Sequence, residues 1–329
     1  MTLLITGGTG FVMSNLARHW LESDPAASVH VLDSALWDGR LDRFFEPVRG
    51  RLNFVQASVL DQRTWDRLAA QPITQIVHGA TITPSSGRER ANPREIVEVN
   101  LMGTVNTLEF ARRLPTFKRF VYVSSGAVYG EALPGTPDVP VPEDGRVSPV
   151  ELYGITKFGS EHITRRYGEV FGLDVASVRF SGVYGPMDRA TPARAVDCVP
   201  KKIIAAALAG KPITVKALDA GGDFIHAHDV ATALAGILRA PAIKHGVYNV
   251  AYGEFTSIGE LIDIVRQVVP ELRAEVVPES GADIAYDPRD RLGRWGDYDI
   301  SRLQRELGWR PRPIGEALHS YVAWMRENG

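Results

Sequence analysis

The chain opens on a short apolar run, Leu3-Leu4-Ile5, cut off by Thr6-Gly7-Gly8-Thr9-Gly10 and followed by a helical pattern from Phe11 to Leu21. A strand ended by glycines and answered at once by a helix is the context of a phosphate-binding turn. Gly7 allows the tight turn, and Gly10 lacks the Cβ that would block a pyrophosphate at the helix N-terminus. The next strand, Val29-His30-Val31-Leu32, ends in Asp33. A carboxylate there accepts both ribose hydroxyls of an adenosine and repels a 2′-phosphate, so NAD is favoured over NADP. Arg40 and Arg43 nearby are the only argument for NADP.

The same rhythm continues. Strands are expected at Asn53-Phe54-Val55, Gln75-Ile76-Val77-His78, Arg119 to Val123 and Val175 to Val178. Helices are expected at Thr64 to Ala70, as one long run from Pro93 to Arg113, and at Glu151 to Phe171. Alternating strands and helices imply a parallel sheet covered on both faces. Ligands of such sheets sit at the carboxyl ends of the strands, where Gly79-Ala80 and Ser124-Ser125 also fall. After Arg179 the rhythm breaks. Pro186 to Pro200 reads as a loop over the cleft, and residues 270–298 read as irregular.

Tyr153 and Lys157 lie four residues apart, on one face of the predicted helix. A phenol titrates near pH 10, and an ammonium one turn away is expected to pull that value down toward use as a base. The pair then removes a proton from a substrate hydroxyl while a hydride leaves the same carbon. Net charge is −2, which gives no reason to expect a nucleic-acid or membrane-surface partner. The single cysteine, Cys198, rules out an intrachain disulfide and has no Cys/His neighbourhood. It reads as a buried small residue, and no metal site is expected. No apolar run reaches membrane-spanning length, and no leader is recognisable, so the expected location is cytoplasmic.

These residues, in order and at family spacing, resemble the extended short-chain dehydrogenase/reductases, the NAD-dependent epimerase/dehydratase family. The likeness is carried by Thr6-Gly7-Gly8-Thr9-Gly10-Phe11, Asp33, Val77-His78-Gly79-Ala80, Asn100, Val123-Ser124-Ser125-Gly126-Ala127-Val128-Tyr129-Gly130, Tyr153 to Lys157, Val183-Tyr184-Gly185-Pro186, Asp223-Phe224-Ile225-His226 and Glu306-Leu307-Gly308-Trp309. It implies an α/β fold: a Rossmann-type doubly wound parallel sheet with a smaller interleaved C-terminal substrate-binding domain. Residues 1–180 and 223–250 would bind NAD, and residues 181–222 and 251–329 would bind substrate. The resemblance makes Ser125, Tyr153 and Lys157 catalytic. Cofactor contacts would come from Gly7, Thr9, Gly10, Phe11, Val12, Asp33, Ser58, Val59, Gly79, Ala80, Thr81, Asn100, Ser124, Tyr153 and Lys157. Substrate contacts would come from Thr83, Ser125, Gly126, Arg88 and Arg289. A homodimer through the helices near Asn100 and Tyr153 is also implied.

Three positions depart from the family pattern. Met13 replaces the third glycine of the loop and is expected to push the helix outward or weaken NAD binding. Ser58 stands where an acidic residue often touches adenine. Gly222 replaces an arginine that contacts the substrate diphosphate. Sugar-nucleotide 4,6-dehydratases resemble one another in an Asp-Glu pair where this chain has Gly126-Ala127, so dehydration is disfavoured. The implied activity is oxidation of a sugar hydroxyl by hydride transfer to NAD, in a UDP-sugar type 4-epimerase. The alternative is an NAD-dependent dehydrogenase of a small sugar acid or hydroxy acid.

Overall fold

Seven parallel strands carry the fold: β1 (Thr2–Thr6), β2 (Ser28–Asp33), β3 (Leu52–Gln56), β4 (Gln75–His78), β5 (Arg119–Ser125), β6 (Val175–Phe180) and, later in the chain, a strand at Val247–Val250. The computed structural model describes residues 1–130, 139–191, 193–194, 197–278, 281–286, 294–295 and 297–328. Spatial order is β3-β2-β1-β4-β5-β6 with Val247–Val250 at the far edge. Leu3, Leu4 and Ile5 are fully buried, as a central strand covered on both faces requires. The chain reverses direction across the sheet between β1 and β4, which makes that crevice the ligand site of a doubly wound sheet.

The flanking helices are α1 (Phe11–Glu22), α2 (Gly39–Phe45), α3 (Gln62–Leu68), α4 (Ser86–Ala91), α5 (Pro93–Val97), α6 (Gly103–Ala111) and α7 (Leu152–Phe171). The long helix expected from Pro93 to Arg113 is divided. A π turn at Glu98–Met102 joins α5 to α6, a widening of the kind that recurs at functional sites. Helix α7 ends at Gly172 in the left-handed region, φ 67°, where glycine escapes the Cβ penalty.

Beyond β6 the chain forms β7 (Gly182–Tyr184), α8 (Val199–Leu208), β8 (Ile213–Val215), β9 (Gly221–His226), α9 (Ala227–Arg239), β10 (Val247–Val250), β11 (Phe255–Ser257), α10 (Ile258–Arg266), β12 (Ala274–Val276), β13 (Arg294–Trp295), α11 (Ser301–Leu307) and α12 (Ile314–Asn328). Residues 270–298 thus contribute two short strands where irregular chain was expected. Of the stretch 223–250, α9 packs on α1 and β10 joins the main sheet beside β6. Strand β9 instead pairs with β7, β11 and β13 in a second sheet. The smaller lobe has its own apolar cluster, including Ile203, Val215, Leu261, Leu318 and Tyr321. Each such side chain contributes about 1.5–3 kcal/mol when fully buried. No helix among the described residues is long and apolar enough to cross a membrane.

Candidate active site

The glycine turn follows β1 directly. Gly7 has φ +70°, and a Cβ there would lie 2.8 Å from the backbone of Ala80. Only glycine lets the two strand-end loops approach this closely. Gly10 caps α1 without a side-chain hydrogen bond, which leaves the N–H groups of the first turn, from Phe11 and Val12 on, for an anion. Thr9 ties the turn to the next strand: its N–H and hydroxyl donate to Asp33 at 3.0 and 2.7 Å. The uncapped helix head, the glycine cradle and the strand-end carboxylate fit a dinucleotide. These residues would hold NAD, whose chemistry is to accept and return a hydride.

Met13 does not need outward displacement of α1 to be accommodated. It is buried, and its Cγ and Sδ lie 2.6 Å from where a Cβ on Gly79 would stand. The space lost at the third loop glycine is recovered at Gly79, across the crevice. Ser58 accepts a hydrogen bond from the Leu60 N–H at 3.2 Å, and the Val59 carbonyl accepts from Trp65 and Asn106 at 3.1 Å each.

The π turn carries Asn100, which is buried. Its Oδ1 accepts from the Ile82 N–H at 2.8 Å and the Thr81 hydroxyl at 3.1 Å, while Nδ2 donates to the Ile82 carbonyl at 3.2 Å and to Thr156 at 3.0 Å. Asn100 therefore fastens the loop after β4 to α7. His78, at the end of β4, is buried and neutral. Burial, aided by Lys157, pushes its pKa down to about 3, and Thr6 and Thr104 hydrogen-bond its ring at 2.7 and 3.1 Å.

Tyr153, Ser125 and Thr83 meet at the mouth of the crevice. All three are half-buried, and Ser125 and Thr83 stand close enough to the Tyr153 phenol to favour its charged form. Its pKa is raised, because burial outweighs those two hydroxyls and the more distant charge of Arg194. This corrects the expectation that the neighbouring lysine pulls it down. Lys157 is itself buried and donates to the Val123 carbonyl at 2.7 Å. Its Nζ lies 5.7 Å from the Tyr153 ring centroid. Burial drops the Lys157 pKa to about 7, opposed by Glu161. The cation expected to activate the phenol is thus only partly charged at neutral pH in the cofactor-free protein.

Beneath this trio lies a buried ion pair. Glu161, one turn after Lys157 on α7, accepts from Arg179 Nε at 2.9 Å and Nη2 at 2.7 Å, with both side chains 5% exposed. The Ser124 hydroxyl also donates to Glu161. Glu161 continues the four-residue spacing of Tyr153 and Lys157, a signal present in the sequence.

Among the expected substrate contacts, Arg88 forms an ion pair with Glu95 at 3.1 Å, and Arg289 lies outside the described residues. Gly126 follows Ser125 directly, and a Cβ on it would overlap the Tyr298 hydroxyl and lie 2.8 Å from its Cζ. Tyr298 was not legible as a neighbour of this site. Cys198 is partly buried, with its thiol pKa pushed well up chiefly by desolvation. Among the described residues no cluster of His, Cys, Asp and Glu could hold a metal ion.

The model of the NAD dependent epimerase/dehydratase family matches residues 3–251. A putative UDP-glucose 4-epimerase of Methanocaldococcus jannaschii is 28% identical, with 99% of each chain covered. A dTDP-glucose 4,6-dehydratase of Neisseria meningitidis is 29% identical over 99% of this chain and 93% of its own length. Among solved structures, Thermus thermophilus UDP-glucose 4-epimerase in complex with NAD superimposes with a TM-score of 0.78 at 27% identity, covering 99% of both chains. Bacillus cereus UDP-glucuronic acid 4-epimerase with UDP-glucuronic acid and NAD shares the fold, with a TM-score of 0.80 at 22% identity and 99% of both chains covered.

Proposed function

Because the chain belongs to the NAD-dependent epimerase/dehydratase family, we propose that it is a nucleotide-sugar 4-epimerase acting on a UDP-sugar type substrate. Tyr153 acts as the base in its phenolate form, which the raised pKa of the phenol disfavours until the positive charge of a bound nicotinamide ring would offset burial, and Ser125 and Thr83 hold the sugar oxygen. Lys157, with its Nζ 5.7 Å from the Tyr153 ring centroid, would bind the cofactor ribose. Bound NAD would supply the hydride acceptor, and its reduced form the hydride donor once the sugar has turned over in the site. Tyr153 then returns its proton, so the net reaction is an isomerisation.

The observation that carries epimerisation over dehydration is the contact at Gly126. The Tyr298 phenol fills the space into which a side chain at 126 would project, so an acid at that position has no room. Gly222 favours the second reading. It lies buried on β9 and offers no side chain to a diphosphate, which suits a dehydrogenase of a small sugar acid or hydroxy acid. The cofactor unit would comprise residues 1–180 with α9 and β10, and the substrate unit the remaining lobe. A homodimer through the helices around the site is supported by Met102 and Ile155, exposed at 48% and 47%.

The test is incubation with NAD and a panel of UDP- and GDP-sugars, uronates and four- to six-carbon hydroxy acids, following reduced nicotinamide and isomer formation. An isomer without net NADH is expected, and Tyr153→Phe should abolish it while leaving NAD affinity nearly unchanged. Stoichiometric NADH with a free acid, and no isomer from any nucleotide sugar, would leave the dehydrogenase.

A further inference from the structure

The segment after β7 runs back across the cofactor crevice as a strap. The Pro186 carbonyl accepts from Asn15 of α1 at 2.8 Å. Met187, with φ 65°, is the one non-glycine residue in the left-handed region among the described residues. Arg189 lies 3.5 Å from Asp38, in the loop after β2. Thr191 and Arg194 pair their backbones at 2.8 and 3.0 Å, and the Ala193 carbonyl accepts from the Thr83 N–H at 2.9 Å. The strap is therefore attached at one end to the helix that heads the glycine turn. At the other it is attached to the loop that presents Thr83 to Tyr153.

Arg194 is the side chain this strap delivers between those two points. Its guanidinium carbon stands 5.2 Å from the ring centroid of Phe11, the first residue of α1. Its Nη1 pairs with Asp188, whose side chain is fully buried. A guanidinium has five donors in a planar fork. Asp188 engages one edge and orients the group, leaving donors for a second anion.

We propose that Arg194 is a cofactor-binding residue, a pyrophosphate clamp brought from outside the nucleotide-binding unit and held over the head of α1 by Asp188. It adds a fixed cation to the backbone N–H groups there and closes the strap across the bound dinucleotide. The assignment depends on where NAD sits and not on which reaction follows, so epimerase and dehydrogenase chemistry leave it equally intact.

The competing role is purely structural, with Arg194 serving only to neutralise Asp188. Arg194→Gln alone would leave that buried carboxylate unpaired, so the deciding comparison is Asp188→Asn against the double variant Asp188→Asn/Arg194→Gln. Neither holds an orphaned buried anion. Calorimetric titrations with NAD, ADP-ribose and adenosine supply the readout. The clamp predicts that adding Arg194→Gln to Asp188→Asn weakens NAD and ADP-ribose at least tenfold, about 1.4 kcal/mol, and leaves adenosine unchanged. It also predicts a shallower salt dependence of NAD binding in the double variant. Equal affinity of the two variants for ADP-ribose, or equal losses for adenosine and ADP-ribose, would overturn the clamp.

Discussion

Replacing Glu161 by glutamine removes the carboxylate that faces both Arg179 and Lys157 while preserving shape. Arg179 keeps its contact with the Glu143 carbonyl at 3.0 Å and its place 4.8 Å from the Tyr129 ring centroid, but neither carries a full negative charge at the lost position. Both partners of the pair are 5% exposed, so water cannot take over. Breaking a buried pair by removing one partner costs roughly 3–5 kcal/mol. At the low end of the usual conversion, about 2 °C per kcal/mol for a large chain, this is a fall in Tm on the order of 6–10 °C. The assay is thermal unfolding of the cofactor-free protein by circular dichroism. The cost comes from an orphaned charge, so it should shrink when Arg179→Met is added. The double variant is expected to be more stable than the sum of the two singles by more than about 1 kcal/mol. A Glu161→Gln protein within about 1 kcal/mol of wild type, or additive effects in the cycle, would refute the reasoning.

Lys157 makes a pH prediction. Its folded pKa of about 7 lies below the usual 10.5, so between those values the unfolded chain binds the extra proton and stability rises with pH. Lys157→Met should remove that rise, and urea unfolding at pH 7 and pH 9 checks it; parallel curves for the two proteins would contradict it. Gly79→Ala would drive a Cβ to 2.6 Å from Met13 Cγ, at a cost of about 1–3 kcal/mol. Met13→Ala in the same chain should recover part of that loss, and denaturant midpoints for the three variants decide. Asp33 should favour NAD over NADP at least tenfold, about 1.4 kcal/mol, with the gap shrinking in Asp33→Ser. Equal calorimetric affinities in the wild type would mean that Arg40 or Arg43 outweighs the carboxylate.

The parallel sheet was readable because each strand is a short apolar run followed by a helical period, and the glycine turn fixes which ends face the ligand. Tyr153, Ser125 and Thr83 were readable as separate residues, and the fold brings them together. What escaped depends on distance in the chain. Nothing local tells that β9 leaves the main sheet to pair with β11, since both sheets accept the same apolar pattern. The π turn at Asn100 breaks no periodic rule strongly enough to be seen in Pro93 to Arg113. Met13 looked like a defect because its compensation, Gly79, lies at the end of another strand. The Tyr153 shift runs opposite to the one the spacing implies, because a charge one turn away is visible in spacing, whereas burial is not. Arg194 and Tyr298 reach the site from remote segments without a motif.

The hydride's return is the central claim, and an isotope label follows it directly. A UDP-sugar turned over by the protein, carrying deuterium at C4 and incubated with catalytic NAD, should give the 4-epimer with the deuterium retained. No solvent hydrogen should enter C4, and no NADH should accumulate. Loss of the label into a pool of free NADH, or its exchange with solvent, would contradict the account.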